Sequence, residues 1–397
     1  MSDVTERSVM MLGGRGAGKS TLLGSIFDQS ATLESETGLR IKVDQYSTGP
    51  LIQKVETMRA VTQQKLTDTV NPFEFPRRPN ADIESFTFEI GTSSQNSRLD
   101  LTFVDMPGGW MSEDKPKLYE IAKKSHAAIL AIDTVELMEQ ESFPTEALTE
   151  LRNQPKQLRE TVKYWLDHFL DDGNESTFLL LCLVLVKVET YLRKYVGDNN
   201  EARSYEAVLE KVKDEYKEVL AELKKREKNV AVVITPIETL GNVVWDHYES
   251  AGMAYPKEFF RRVEGSTDGG RKALGYCPNN CDLPLRYILN FFLIQQIRSE
   301  ILKREPKKIE SIIDSFVNYV SKLLINIFPD FNKSKLEKIF RSFSDVFSPE
   351  RSLISAVWEF TRGVDNNMVR IIQGERLLIR DKPMFQDFLN RLQKIGK

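Results

Sequence analysis

Apolar runs of strand length recur along the first 300 residues, separated by longer amphipathic segments. Three of these runs, 127–133, 178–186 and 230–234, are apolar on both faces, and a shorter run covers 8–12. Strands that are apolar on both faces are typical of parallel sheets with helices packed on each side. The pattern therefore predicts an α/β fold with a mostly parallel sheet and helices on both faces.

Helical periodicity occupies the segments between these runs, and two further strand-like segments, one alternating and one buried, predict a hairpin. Segments 86–90 and 99–105 flank the polar sequence GTSSQNS and predict an antiparallel pair. Leu51, Ile52, Val55, Met58 and Val61 recur at helical spacing and predict an inserted helix around 45–70. Further helices are predicted over 19–29, 145–170, 201–228 and 283–303.

After residue 304, the strand-like apolar runs are replaced by apolar positions at helical spacing. Apolar positions at helical spacing run from Ile309 to Phe328 and end at Pro329, and a second series covers Leu336 to Phe347. Ser348-Pro349 then opens a third helical segment. We predict two domains, an α/β domain over 1–304 that includes the inserted helix, and a mainly α-helical C-terminal domain over 305–397.

Composition narrows the class of protein. The 397 residues are 41% hydrophobic and 28% charged, with a net charge of −3, which fits a globular protein and does not favour a nucleic-acid partner. The longest apolar run is shorter than the about 20 residues that a transmembrane helix needs, and the polar start MSDVTERS is unlike a signal peptide. Three cysteines, two of them in CPNNC, are too few for a disulfide framework. These features predict a cytoplasmic protein.

The sequence that carries chemistry follows the first strand. Residues 13–20 read GGRGAGKS and match G-x-x-x-x-G-K-[ST], with an apolar strand before and a helical segment after. Such a loop turns its backbone N–H groups toward phosphates, and the helix N-terminus adds its dipole. Lys19 would reach the β- and γ-phosphates, and the Ser20 hydroxyl would bind Mg²⁺. The predicted phosphate-binding residues are Gly13, Gly14, Arg15, Gly16, Ala17, Gly18, Lys19, Ser20 and Thr21.

A second motif follows the predicted hairpin. Asp105-Met106-Pro107-Gly108 comes directly after an apolar strand. Asp105 is placed to hold Mg²⁺ through water, and the Gly108 N–H to sense a γ-phosphate. We therefore expect Asp105 and Gly108 to join Lys19 in the reaction centre.

Together, GGRGAGKST and DMPG resemble the translation-factor-related and Ras-like class of P-loop GTPases. In this class, an [NT]-K-x-D box after a buried strand selects guanine, and its match here is Val186-Lys187-Val188-Glu189. The resemblance implies that Lys187 stacks on the base and that Glu189 accepts from its N1–H and N2–H₂. A fifth box contributes a backbone donor, and its match is Thr235-Pro236. Because proline has no N–H, this donor would shift to Ile237.

The chain also resembles larger bacterial Ras-like GTPases linked to signalling or defence systems, which share the pattern MLG-x-R-G-x-G-K and a T-x-x-x-T-L-G segment. Residues 235–241 read TPIETLG. The resemblance implies GTP and GDP as bound nucleotides, Mg²⁺ as cofactor, a nucleotide-dependent switch, and a protein partner or a homodimer. The threonine that senses Mg²⁺ cannot be placed, although Thr67 and Thr69 are candidates.

Catalysis is predicted to be slow. The class usually places a glutamine after the DxxG glycine, where it orients the attacking water, and this chain has Gly109 there. Arg15, Arg77 and Arg78 are cations that could neutralise the developing charge in cis. Two alternatives remain open: a P-loop ATPase or phosphotransferase, and a nucleotide-bound scaffold with negligible turnover.

Overall fold

The structure is a computed structural model, and the structural statements below concern the part of the chain that it describes. The described residues are 4–37, 40–64, 73–75, 82–91, 98–110, 114–142, 145–170, 179–192, 205–225, 230–249, 257–262, 267–268, 271–272, 276–289 and 291–292. The predicted C-terminal domain over 305–397 lies outside them.

A seven-stranded sheet organises these residues. Its strands in chain order are β1 (Val4–Leu12), β2 (Arg40–Val43), β4 (Glu84–Gly91), β5 (Arg98–Asp105), β6 (Ser125–Asp133), β7 (Leu179–Val186) and β8 (Val230–Pro236). Their spatial order is β2-β4-β5-β1-β6-β7-β8. The five strands from β5 to β8 are parallel, whereas β4 is antiparallel to both β5 and β2. The predicted α/β fold with a mostly parallel sheet is thus confirmed.

Helices connect these strands and cover the sheet. They are α1 (Lys19–Thr37), α2 (Gln45–Gln64), α3 (Lys115–Ala122), α4 (Thr134–Met138), α5 (Thr145–Leu170), α6 (Glu189–Leu192), α7 (Tyr205–Glu215) and α8 (Lys217–Lys225), with a 3₁₀ turn at Gln140–Ser142. Residues 283–289 are also helical. None of the described helices has the length and apolarity that crossing a membrane requires.

The central strands are buried on both faces because successive side chains point to opposite sides of the sheet. In β1, Met10 and Leu12 pack into one hydrophobic cluster with Trp165 of α5. Val9 and Met11 pack into the other with Leu22 of α1. Burial on both faces accounts for the uninterrupted apolar runs. Because β1, β5, β6 and β7 are parallel, their C-terminal ends lie at one edge of the sheet.

A small antiparallel sheet lies outside the sequence-based prediction. Its strands are β3 (Phe73–Phe75), β9 (Val243–Glu249) and β10 (Lys257–Arg262), in the order β3-β10-β9. Two hydrogen bonds from backbone N–H groups attach β9 and the segment before it to side chains of α6. The Leu240 N–H donates to Glu189 Oε1 over 3.0 Å, and the Trp245 N–H to Thr190 Oγ1 over 3.1 Å. A two-residue pair, β11 (Thr267–Asp268) with β12 (Arg271–Lys272), follows.

Most predicted elements are present, some with different limits. The hairpin and the inserted helix are confirmed as β4–β5 and α2. β1 starts four residues earlier than predicted, and α1 extends to Thr37. The single helix expected over 201–228 is instead two helices, α7 and α8, with Tyr216 between them in a turn. Tyr216 is buried and faces the core.

The cysteines are all reduced. Cys182 lies inside β7 and Cys281 before the 283–289 helix, and burial raises the pKa of both thiols. Cys281 donates to the Glu238 carbonyl over 3.4 Å, whereas Cys277 is exposed. The two cysteines of CPNNC therefore have opposite environments.

Candidate nucleotide-binding site

The glycine loop joins β1 to α1 in the conformation that a phosphate-binding loop needs. Gly13 has φ +145°, and a Cβ there would lie 2.7 Å from the Ala131 carbonyl oxygen of β6. Gly18, directly before α1, has φ +84°. Side chains are strained in this region of backbone space. The loop can thus pass closely over β6 and deliver Lys19 to the first turn of the helix.

Lys19 lies across the loop and is 8% exposed. Its Nζ donates to the Gly13 carbonyl over 3.0 Å and to the Gly14 carbonyl over 3.1 Å. Burial lowers the pKa of its ammonium, and the negative charges of Asp105 and Glu136 oppose that shift. A desolvated ammonium held in one orientation attracts phosphate more strongly than one in water does.

Asp105 meets Ser20 at the end of β5. The Ser20 hydroxyl donates to Asp105 Oδ2 over 2.7 Å, and the carboxyl group is fully buried. Burial raises the pKa of Asp105, while the charge of Lys19, the Ser20 hydrogen bond and the charge of Lys54 act in the opposite direction. A hydroxyl and a carboxylate side by side are the hard oxygen ligands that Mg²⁺ uses together with water and phosphate.

The DMPG segment lies directly against the glycine loop. A Cβ on Gly108 would be 2.4 Å from the Arg15 nitrogen and 2.5 Å from the Gly14 carbonyl carbon. On the other side, the Gln154 side chain of α5 approaches Gly14 so closely that a Cβ there would be 2.2 Å from its Nε2. The structure thus brings together the two motifs that lie about 90 residues apart in sequence.

A cavity of about 310 Å³ opens above this loop. It is bordered by the glycine loop, Asp105, Gly108 and residues of α2, and also by Lys187, the segment before β9, and β10. Its lining residues are Arg15, Gly16, Ala17, Gly18, Lys19, Ser20, Thr21, Pro50, Gln53, Lys54, Thr57, Met58, Glu84, Asp105, Met106, Gly108, Val186, Lys187, Thr239, Leu240, Glu258 and Phe260.

Lys187 borders the cavity and has a left-handed backbone conformation with φ +58°. Its ammonium forms a buried ion pair with Asp133 at the end of β6. It also donates to both carboxylate oxygens of Glu258 on β10, over 2.7 Å and 3.0 Å. Lys187 therefore borders the cavity, and its charge is neutralised by two carboxylates.

The other predicted base-binding residues, Glu189, Thr235, Pro236 and Ile237, are buried and do not line the cavity. Glu189 Oε1 accepts from the Leu240 N–H, and Thr235 and Pro236 belong to β8. The Ile237 N–H donates to the Leu185 carbonyl over 3.0 Å and is thereby directed into the sheet. Thr239 and Leu240, in the TLG part of the same segment, reach the cavity instead.

Sequence reasoning missed the contributions of α2 and β10. The apolar stripe of α2 was recognised, but the residues beside it, Gln53, Lys54 and Thr57, also border the cavity. A cation in an inserted helix has no motif that would single it out. The candidates Thr67, Thr69, Arg77 and Arg78 lie outside the described residues.

The fold and the site define a P-loop nucleotide-binding protein: a mostly parallel sheet, a glycine loop between β1 and α1, and around it a buried lysine, a buried aspartate and a half-buried serine. A family model described as Double-GTPase 2 matches residues 7–236, more than half of the chain. The chain therefore belongs to the Double-GTPase 2 family and is a P-loop GTPase.

Solved structures with a similar fold are GTPase-like. The Saccharomyces cerevisiae Ski7 GTPase-like domain bound to GTP is 16% identical, with a TM-score of 0.31 over 59% of this chain and 43% of that chain. A bacterial selenocysteine-specific elongation factor is 16% identical, with a TM-score of 0.25 over 58% and 26%. Sup35 complexed with GDP is 13% identical, with a TM-score of 0.23 over 60% and 38%. The chain thus spans less than half of the length of each. No curated protein matches it.

Proposed function

We propose that this protein is a regulatory GTPase that binds GTP in the cavity above the glycine loop, hydrolyses it to GDP and phosphate, and changes state with the nucleotide. The observation that carries this proposal is the contact of Ser20 with Asp105 beside the buried Lys19. These three side chains are the parts with which a P-loop protein binds a magnesium-bound triphosphate.

Mg²⁺ fits the donor set. The Ser20 hydroxyl would bind it directly, and Asp105 through water, and the ion would neutralise charge that develops on the phosphates. Within the described part of the chain, no group of three or more His, Cys, Asp or Glu side chains is arranged to hold a metal ion. This is compatible with Mg²⁺, which is commonly held by one or two protein ligands plus phosphate oxygens.

The switch would act through the DMPG segment. Gly108 lies against Gly14 and Arg15 of the loop, so a γ-phosphate that engages the Gly108 N–H would set the position of residues 105–110. Order or displacement of such a segment is how P-loop GTPases signal the presence of the γ-phosphate. A protein partner or a second copy of the chain would recognise that change.

We expect GTP and GDP to bind at least about tenfold tighter than ATP and ADP, because guanine offers N1–H and N2–H₂ donors to a carboxylate and adenine does not. One charged hydrogen bond contributes about 1.5–3 kcal/mol. We assign the carboxylate to Glu189, the first residue of α6, which is buried, does not line the cavity and accepts a hydrogen bond from the Leu240 N–H. Competition binding with both nucleotide pairs, for wild type and Glu189→Ala, measures the preference.

Glu222→Ala is the matched control, because Glu222 is also buried but is paired with Lys225 on α8. It should keep the wild-type preference. A preference that survives in Glu189→Ala and disappears in Glu258→Ala would transfer the role to Glu258, which borders the cavity. Equal or tighter binding of ATP would favour the alternative of an ATPase. The absence of Asn or Thr at the first position of the [NT]-K-x-D box also favours that alternative.

Basal turnover should be well below about 1 s⁻¹, the lower end of the range typical of kinases, and should rise with protein concentration or with an added partner. Gly109 follows Gly108 and has no side chain to orient water. Arg15 borders the cavity and is our candidate for a cation that neutralises developing charge. Phosphate release per chain, measured over a wide concentration series for wild type and Arg15→Ala, tests both points. Fast, concentration-independent turnover that Arg15→Ala leaves unchanged would contradict them.

A further inference from the structure

The inserted helix α2 is fixed on the nucleotide-binding domain by its apolar side. Leu51, Val55 and Met58 are each less than 5% exposed. Met58 packs against α1 where that helix has Gly24, so closely that a Cβ at Gly24 would be 2.8 Å from the methionine methyl carbon. With this side buried, the adjoining edge of the helix is held against the cavity.

Lys54 lies on that edge. Its side chain is 19% exposed, and its Nζ is 2.7 Å from Glu84 Oε2 at the start of β4. Lys54, Glu84, Ser20, Asp105 and Gly108 all border the same cavity. The Lys54 ammonium therefore borders the cavity together with Ser20 and Asp105, where we place the terminal phosphate.

A bound triphosphate changes the charges around this ion pair. The γ-phosphate brings negative charge next to Asp105 and Glu84, and an ammonium in a partly desolvated cavity interacts strongly with it. A charge pair between a phosphate and an amine is also stronger than an ordinary hydrogen bond. Lys54 therefore has two competing anionic partners once a triphosphate is present, whereas a diphosphate offers it only Glu84.

We propose that Lys54 contacts the terminal phosphate of the bound triphosphate and returns to Glu84 when only a diphosphate is present. This inference rests on the proposed binding of a nucleoside triphosphate above the glycine loop. Lys54 transfers no proton and forms no covalent bond; it supplies positive charge. Because α2 carries it, the helix inserted between β2 and β4 responds to the γ-phosphate.

The test compares affinities for GTPγS and GDP in wild type, Lys54→Met and Lys54→Arg. Lys54→Met should lose about tenfold or more in affinity for GTPγS, the effect expected for one charged hydrogen bond, and less than about twofold for GDP. Lys54→Arg should retain most of the GTPγS affinity because it keeps the charge. Lys115→Met is the matched control. Lys115 forms an ion pair with Glu160, with 2.6 Å between Nζ and Oε2, and it does not border the cavity. This substitution should alter neither affinity.

A second variant tests whether Lys54 moves between Glu84 and the terminal phosphate. Glu84→Gln removes the competing anion, so the ratio of GTPγS to GDP affinity should rise about threefold or more above that of wild type. Equal losses for both nucleotides in Lys54→Met, or unchanged affinities, would overturn the proposal. An unchanged melting temperature shows that the variant is folded.

Different results would contradict the proposed GTP hydrolysis and the proposed role of Lys54. Wild-type protein that binds GTPγS but releases no phosphate from GTP would refute the hydrolase and leave the role of Lys54 supported by the affinity ratio. Protein that binds adenine nucleotides better would be tested with ATPγS and ADP in the same design. Protein that binds neither triphosphate would overturn both.

Discussion

Lys19→Ala is expected to abolish tight binding of nucleoside triphosphates while the sheet and α1 remain folded. The Lys19 ammonium is the buried charge that spans the Gly13 and Gly14 carbonyls at the base of the cavity. Removal of one partner of a buried, hydrogen-bonded charge pair costs about 3–5 kcal/mol, which is more than about a hundredfold in affinity. Equilibrium titration with a fluorescent GTP analogue, with the melting temperature measured in parallel, gives the result.

Lys211→Ala is the control for the loss of a lysine. Lys211 forms an i,i+4 pair with Glu215 on α7 over 2.9 Å and does not border the cavity, so its removal should leave nucleotide affinity unchanged. A folded Lys19→Ala protein that binds triphosphates as tightly as wild type would remove the basis for placing the phosphates at this loop.

The parts of the fold that were predictable are those in which neighbouring residues determine the structure. The apolar runs of β6, β7 and β8 reflect burial on both faces. The glycine loop is specified by its own sequence, because the backbone at Gly13 and Gly18 disfavours other residues. The hairpin β4–β5 is signalled by the polar turn between two strands. In each case the physical cause acts over a few residues.

The contacts that could not be predicted from the sequence depend on long-range packing. The strand β10 brings Glu258 to Lys187 across 71 residues of sequence, and no local pattern indicates that approach. The Leu240 N–H reaches Glu189 because the segment after β8 turns back toward the end of β7. Lys54 borders the cavity because Leu51, Val55 and Met58 bury the adjoining side of α2. The environment of Lys187 and the contribution of Lys54 therefore depend on tertiary structure and cannot be predicted from neighbouring residues.

Gly108→Ala should displace the DMPG segment from the glycine loop. The added Cβ would lie 2.4 Å from the Arg15 nitrogen and 2.6 Å from the Gly14 carbonyl oxygen. These are backbone atoms, and the Lys19 ammonium also donates to the Gly14 carbonyl. A shift of the loop that relieves the clash would therefore cost free energy. We expect the free energy of unfolding to fall by about 1–3 kcal/mol, as for other overpacked sites. GTP turnover should fall by more than about tenfold, because the Gly108 N–H moves away from the γ-phosphate.

Gly49→Ala separates this steric effect from the general consequence of adding a methyl group. Gly49 lies in α2, and a Cβ there has no neighbour within 4 Å. The substitution should leave turnover unchanged and raise the free energy of unfolding by up to about 1 kcal/mol, since alanine is favoured over glycine in helices. Chemical denaturation and single-turnover phosphate release, measured for both variants, provide the comparison. Wild-type stability and turnover in Gly108→Ala would mean that the segment does not lie against the loop in solution, and the γ-phosphate sensor would then have to be sought elsewhere around the cavity.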